Sequence, residues 1–304
     1  MKRRLKIYTP FISAGMQEVA TYRVNWIFYM LGNVVVCFVS YFIWRAVYAS
    51  GDGGAMNGFT MPQMIVYIVL VFLTNTMIAS DVSYVIGEEV RDGAISMRLL
   101  KPVSFNATFL FQEIGNKLFT EFILALPLIF AVEVIRTAFS GEVQFDVLRF
   151  FLFLFSAATA YLIYFFFNIC FGFVAFITKN LWGVNTTKNC IVSFLSGAVI
   201  PLSFLPAQME TVFLMLPFSS LNYTPVMIYM GKYSGPELLF YLGLQLFWAV
   251  AFFALSKLFW KLMRKNCRKL KESVRKQPRT LGKLLKESIS ISKKMTIKRN
   301  LNKS

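Results

Sequence analysis

Predominantly apolar runs of about 20 residues recur along this 304-residue chain and constrain its fold more than any other feature. A run of that length, wound as an α-helix, spans the roughly 30 Å hydrocarbon core of a bilayer. Hydrophobic residues make up 57% of the chain and charged residues only 15%, which is more apolar than soluble domains of similar size. The sequence therefore predicts an all-α integral membrane protein.

Six of these runs are expected to cross the membrane. They cover about 25–48, 64–86, 118–134, 148–177, a fifth span starting near 190, and 238–260. The loop before the fifth span is expected between Lys179 and Lys188. The run 211–230 is interrupted by Pro217 and Pro225, and backbone groups freed in hydrocarbon need partners. The segment 201–230 is therefore predicted to be a re-entrant external helical hairpin between spans five and six.

The distribution of basic residues fixes the expected orientation. Most of the 32 Lys and Arg fall in the chain start, the 86–117 loop, the 179–188 loop and the C-terminal tail. Because basic loops stay on the cytoplasmic side, both termini are predicted to be cytoplasmic and the number of crossings even.

Two flanking segments complete the predicted domain organisation of 1–24, 25–261 and 262–304. Residues 2–22 place apolar side chains three and four apart around Pro10, which favours an interfacial amphipathic helix over a poorly ordered start to the first span. The tail 262–304 is strongly basic and is expected to contact the anionic inner leaflet. No aromatic residue follows Trp260, so stacking on nucleic acid is not expected.

The residues needed for common catalytic chemistry are missing. The sequence contains no histidine, no GxxxxGK[ST] loop, no GxSxG elbow and no CxxC pair among its four cysteines. No catalytic residue, metal site or nucleotide site is therefore predicted for this chain. The ionisable groups in or near the spans either contact substrate or reach an interface; they are Asp81, Lys117, Glu121, Glu133 and Arg136.

The most charged segment before the tail, IGEEVRDGAISMRLLKPVS at 86–104, is predicted to be a cytoplasmic docking element. A helix leaving the second span can stop at Gly93, and a second short helix over 94–100 must end before Pro102. Ile95 and Leu99 share one face of that short helix, with Arg98 beside them. An exposed apolar edge flanked by charges is typical of a helix that docks in a partner's groove.

This segment resembles the first cytoplasmic loop of permease subunits of ATP-binding-cassette (ABC) transporters of the type-2 export class. That family carries an acidic/basic-Gly-x-Leu-x-x-Leu-Leu-x-x-Pro-x-Ser pattern, which Glu89 to Ser104 follow except at Ala94, Ile95 and Ser96. A second family pattern, Gly-x-x-x-Pro-x-x-x-x-Pro, is present as Gly197, Pro201 and Pro206. The interfacial first helix, six spans and external hairpin are also similar to the family.

The resemblance implies a non-catalytic permease subunit of an export system in the bacterial plasma (inner) membrane. It implies no cofactor on this chain, with ATP and Mg²⁺ bound by a dimer of separate cytoplasmic ATPase subunits. A second permease, identical or diverged, would complete the pathway. Two other classes stay open: an ATPase-independent channel or structural membrane subunit, and, less favoured because the carboxylates are dispersed, a membrane-embedded lipid-modifying enzyme.

The resemblance also implies roles for individual residues. Those of the ATPase-coupling loop are Glu88, Glu89, Arg91, Gly93, Ile95, Arg98, Leu99, Leu100 and Pro102. Those of the external gate are Gly197, Pro201, Pro206 and Pro217. The polar residues expected along the pathway, which spans one, two and five would line, are Asn25, Asn33, Asn75 and Ser193.

Overall fold

A computed structural model describes residues 6–51, 54–100, 103–140, 146–176, 178 and 181–263 of the chain. Pro102, the first five residues and the basic tail beyond 263 lie outside this part. Within it the regular structure is helical, with one isolated bridge between Met56 and Phe59 and no strand. The predicted all-α class is therefore confirmed.

The described residues form the following helices. They are α1 (Thr9–Thr21), α2 (Arg23–Ser50), α3 (Met61–Ile78), α4 (Val82–Arg91), α5 (Ile95–Leu100), α6 (Phe105–Ser140), α7 (Val147–Gly172), α8 (Trp182–Leu195), α9 (Ala207–Met215), α10 (Tyr223–Tyr229) and α11 (Gly235–Met263). Two short 3-10 helices cover Phe173–Phe176 and Leu202–Phe204.

Among the described residues, four helical stretches are long and apolar enough to cross a membrane. They are Ile27–Ser50, Met61–Arg91, Val147–Phe176 and Gly235–Met263, and they coincide with the predicted first, second, fourth and last spans. The predicted third span lies within α6, a helix of 36 residues. The predicted fifth span is shorter than expected, because α8 has 14 residues and a length of about 21 Å. The count of six crossings stays a prediction.

Helix α3 lies at the centre of the compact unit Met1–Ser256 and contacts α2, α6, α7 and α10. Met64, Leu70 and Leu73 are almost fully buried, because a helix that is apolar on all sides is surrounded by others. By contrast, α2 and α11 expose large apolar side chains such as Phe28 and Phe247, which suits contact with lipid or another apolar surface. Of the second unit, 257–304, only the residues up to 263 are described.

The N-terminal helix α1 packs against α6 at unusually close range. It starts at Thr9, which places Pro10 in the first turn, where proline is tolerated. At the crossing, Gly15 of α1 meets Gly115 of α6, and a Cβ added to either glycine would lie 2.0 Å from a backbone oxygen of the other helix. Val19 is buried, so part of the predicted apolar stripe faces α6.

Candidate functional site

The predicted docking segment forms a helix–turn–helix at one end of the second span. Helix α4 ends at Arg91, and Gly93 has a φ of +75°, a conformation in which glycine is strongly favoured. Helix α5 then runs from Ile95 to Leu100. The predicted helix stop at Gly93 and the short helix after it are both confirmed.

An ion pair holds α5 against α4. The Nε atom of Arg98 donates to both carboxylate oxygens of Glu89, at 2.9 and 3.1 Å, and its Nη2 atom donates to the same carboxylate. A further donor of Arg98 reaches Thr108 Oγ1 at 3.0 Å, and its guanidinium lies 3.9 Å from the centre of the Phe109 ring. The two charged side chains are only 15% and 18% exposed. Glu89 and Arg98 therefore fix the shape of the segment by contacting each other.

The exposed apolar residue of α5 differs from the one predicted. Ile95, expected on an exposed edge, is buried with 8% of its surface accessible, whereas Met97 is 68% exposed. The turn at Gly93 and the ion pair fold α5 back onto α4 and α6, which covers the Ile95 face. The side chains of Leu99 and Leu100, like Pro102, lie outside the described residues.

The outward surface of this segment, which we call the α4–α5 face, carries both charge and apolar area. Its larger exposed side chains are Glu88, Arg91, Asp92 and Met97, with Ala94 exposed between them. Arg91 and Asp92 form a surface ion pair of 3.1 Å, which contributes little to stability. These side chains are available to a partner, as the sequence predicted for Glu88 and Arg91.

The second span, predicted over 64–86, is broken at residues 79–81. Helix α3 ends at Ile78 and α4 begins at Val82, which frees backbone carbonyls that need hydrogen-bond donors in an apolar setting. The ammonium of Lys117, on α6, donates to the carbonyl oxygens of Met77 at 2.8 Å and Thr76 at 3.4 Å. A cation at the C-terminal end of a helix is favourable.

Neighbouring helices also bind the residues of the break. The amide of Asn168, on α7, donates to the Ser80 carbonyl at 3.3 Å. The Ser80 hydroxyl donates to Glu113 on α6 at 2.9 Å, and the Tyr161 hydroxyl donates to the other oxygen of that carboxylate at 3.0 Å. The break is thus satisfied by polar groups from α6 and α7. These contacts explain the position of Lys117 among the helices without a role in binding substrate.

A polar cavity of about 310 Å³ lies between α2, α3, α7 and α8, beside the break. Three of the four predicted pathway residues, Asn33, Asn75 and Ser193, line it together. The fourth, Asn25, lines a neighbouring cavity of about 410 Å³. The two cavities share lining residues on α2, at the end of α3 and in the break, namely Tyr29, Thr76, Ala79, Ser80 and Asp81.

The cavity wall also contains polar residues that were not predicted. On α8, Asn189 lies four residues before Ser193, and its amide oxygen accepts a 3.1 Å hydrogen bond from the Tyr164 hydroxyl. Asn222 donates to Ser196 Oγ at 3.1 Å, while its own amide oxygen is buried with no partner. The sequence could have predicted a polar face on α8, because Asn185, Asn189 and Ser193 recur every four residues and such residues share one face of a helix.

The predicted gate residues form the connection from α8 to the hairpin helices. Gly197 adopts a φ of +78°, and its carbonyl accepts a 2.6 Å hydrogen bond from the Tyr67 hydroxyl on α3. Pro201 precedes the short 3-10 helix and Pro206 precedes α9. Pro217 lies buried in the turn between α9 and α10. The predicted helical character of 201–230 is confirmed, while its place in the membrane stays a prediction.

Comparison with known proteins agrees with this architecture. A family model described as "ABC-2 family transporter protein" matches residues 34–266. That range includes α3 to α10, the α4–α5 face and most of the residues that line the two cavities. No curated protein matches the chain.

Proposed function

Because this chain belongs to the ABC-2 transporter family, we propose that it is the permease subunit of an ABC export system, forming the pathway for substrate across the bacterial plasma membrane. ATP hydrolysis on a separate subunit drives it. Family membership itself makes the chain a multi-pass membrane protein and a transport permease component. The direction of transport and the ATPase partner belong to the proposal.

The observation that carries the proposal is the α4–α5 face. It presents Met97 on the short helix α5 and three charged side chains at the C-terminal end of α4, and the Glu89–Arg98 pair holds α5 in place from the inner side. A short exposed helix that is held firmly against α4 is suited to bind a moving cytoplasmic partner. The partner's movement is then passed on to α4 and does not merely deform α5. The partner we propose is a dimer of ABC ATPase subunits that bind ATP and Mg²⁺.

The route across the membrane follows from the cavities beside the broken span. Asn33, Asn75 and Ser193 supply hydrogen-bonding groups that the described contacts leave unused, within a chain that is otherwise mainly apolar. Polar groups inside a membrane are costly, so their concentration in one cavity supports a pathway. Gly197 and Pro201, at the end of α8, would then belong to an external gate over the cavity.

The topology we propose has six crossings with both termini cytoplasmic. Helix α6, about 54 Å long, supplies the third crossing. Helix α8 supplies the fifth, continued by the segment that includes α9 and α10 as a re-entrant hairpin. The exposed apolar face of α2 is available to a second permease, identical or diverged, and the basic tail to anionic lipid headgroups.

Affinity purification of the tagged chain from its native membrane tests the proposal. We expect an ABC ATPase to co-purify with the wild type and with Met97→Leu, which keeps an apolar contact. Met97→Asp is expected to lose the ATPase while inserting normally, because a carboxylate cannot be buried in an apolar groove without a partner. Ile95→Asp is a poor test, since Ile95 is buried and the change disrupts the fold.

The outcomes separate the two parts of the proposal. If no ATPase accompanies the wild type, the ATPase-driven function is wrong and an ATPase-independent channel or structural subunit is favoured. If an ATPase accompanies Met97→Asp as strongly as Met97→Leu, the α4–α5 face is not the docking surface.

A further inference from the structure

Lys188 is a buried cation that the proposed docking and pathway residues do not account for. The sequence placed it at the edge of a loop, but it lies inside α8 and is only 6% exposed. Its ammonium lies over the ring of Phe171, 5.1 Å from the ring centre, and over that of Tyr164 at 5.7 Å. In the part of the chain that the structure describes, no carboxylate forms an ion pair with it.

Neutral side chains of α4 and α7 contact this ammonium, and the carboxylate of Asp81 lies near enough to interact with it electrostatically. The ammonium donates to the amide oxygen of Asn168 on α7 and, at 3.4 Å, to the hydroxyl oxygen of Ser83 on α4. The Ser83 hydroxyl in turn donates to the amide oxygen of Asn185 on α8 at 2.9 Å. We call Ser83, Asn168, Asn185 and Lys188 the polar lock. It joins α4, α7 and α8 directly beside the break in the second span, where Asn168 also binds the Ser80 carbonyl.

The polar lock is a costly way to hold helices together. Removing an ammonium from water is strongly unfavourable. Hydrogen bonds to the charged group and contacts with ring faces work against that penalty. An apolar residue of similar volume would pack there without the penalty. What the lysine adds is directional contact with α4 and α7 at defined positions.

The lock lies on a described route from the docking surface to the wall of the cavity that α8 forms. Helix α5 is fixed to α4 by the Glu89–Arg98 pair, and α4 is joined to α8 by Ser83 and Lys188. Asn189, the residue after Lys188 on α8, lines the polar cavity. The break at 79–81 separates α4 from α3, so the two are not one continuous helix.

We propose that Lys188 is a positioning residue that couples α4 to α8, so that displacement of the α4–α5 face is passed to the cavity wall. This inference rests on the proposed function, because it needs an ATPase to displace that face. Coupling of this kind requires two sites that bias one shared element. Here the shared element is α8, contacted by the lock at Asn185 and Lys188 and lining the cavity with Asn189.

The permease–ATPase complex, reconstituted in lipid nanodiscs, provides the test. The native cysteines are replaced, and nitroxide labels are attached at Ile43 on α2 and Ile191 on α8, both exposed. Pulsed electron-spin resonance then measures the distance between labels without nucleotide and after trapping with ATP, Mg²⁺ and vanadate. The wild type is expected to show a distance shift upon trapping.

The variants are Lys188→Met, Ser83→Ala and the double change. Each single variant is expected to lose the trapped distance shift while still binding the ATPase and hydrolysing ATP. Because the two residues act through one contact, the double variant should behave like either single one. Lys232→Met is the matched control. Like Lys188, Lys232 donates a hydrogen bond, here to the Gly58 backbone oxygen at 2.8 Å, and lies over an aromatic ring, that of Phe59 at 5.0 Å, but it has no described hydrogen bond or ring contact with α4 or α8.

Three results would overturn the inference: a normal shift in Lys188→Met, an equal loss in Lys232→Met, or independent partial losses that add in the double variant. Should Lys188→Met fail to fold, Ser83→Ala removes only a hydroxyl and decides the question alone. Failure of the proposed function is recognised separately, because the wild type then has no ATPase to trap, and both conclusions fall.

Discussion

The crossing of α1 and α6 allows a quantitative prediction for one added methyl group. A Cβ on Gly115 would lie 2.0 Å from the backbone oxygen of Ile12, and a Cβ on Gly15 would lie 2.0 Å from that of Gln112. An ordinary contact begins near 3.4 Å, so the two helices must separate by about 1.4 Å. Neither obstacle is a flexible side chain that could move aside.

Overpacking of a well-packed contact costs about 1–3 kcal/mol, and Gly115→Ala is expected to fall in that range. At roughly 2–4 °C per kcal/mol, the melting temperature of the purified protein should drop by about 2–12 °C. Adding Gly15→Ala should cost less than the first change, because the helices are by then already apart. Fluorescence-detected thermal unfolding in one detergent measures all variants.

Gly243→Ala is the matched control, since Gly243 lies inside α11 with no described atom within 4 Å of an added Cβ. Alanine is a better helix former than glycine by up to about 1 kcal/mol, so this variant should melt at or above the wild-type temperature. If Gly115→Ala melts within about a degree of Gly243→Ala, then α1 does not cross α6 at these glycines.

Three further effects are expected in the same assay. Gly197→Ala should lower the melting temperature, because it forces alanine to a φ of +78° and places its Cβ 3.2 Å from the Tyr67 hydroxyl, at a cost of about 1–3 kcal/mol. Gly235→Ala, at a φ of +55° with open space around it, should show a smaller drop, and equal drops would argue against crowding at Gly197. Glu89→Gln should cost about 2 kcal/mol by weakening charged hydrogen bonds to Arg98, and an unchanged melting temperature would show that this pair does not hold α5.

The sequence was sufficient for features set by composition and local geometry. Apolar runs of spanning length predicted the membrane class and four of the described spans. Gly93 predicted the end of α4, because glycine is favoured where a helix stops with a positive φ. These predictions succeeded because each depends on residues within a few turns of one another.

Features that depend on packing between distant segments were not visible in the sequence. Nothing in Ala79, Ser80 or Asp81 predicts a break, since none is glycine or proline, and the break is satisfied by Lys117 and Asn168, which lie far along the chain. For the same reason Lys188 was placed at the edge of a loop, although three helices meet around it.

The docking segment combines a feature that local sequence determines and one that tertiary contacts decide. Its sequence alone determined a short helix after Gly93, because backbone preference is local. Only the tertiary structure decided which side of that helix is exposed, since the ion pair between Glu89 and Arg98 turns Ile95 inward and leaves Met97 outward. The periodicity of a helix fixes which residues share a face, but the neighbour that covers the face is chosen by contacts across the fold.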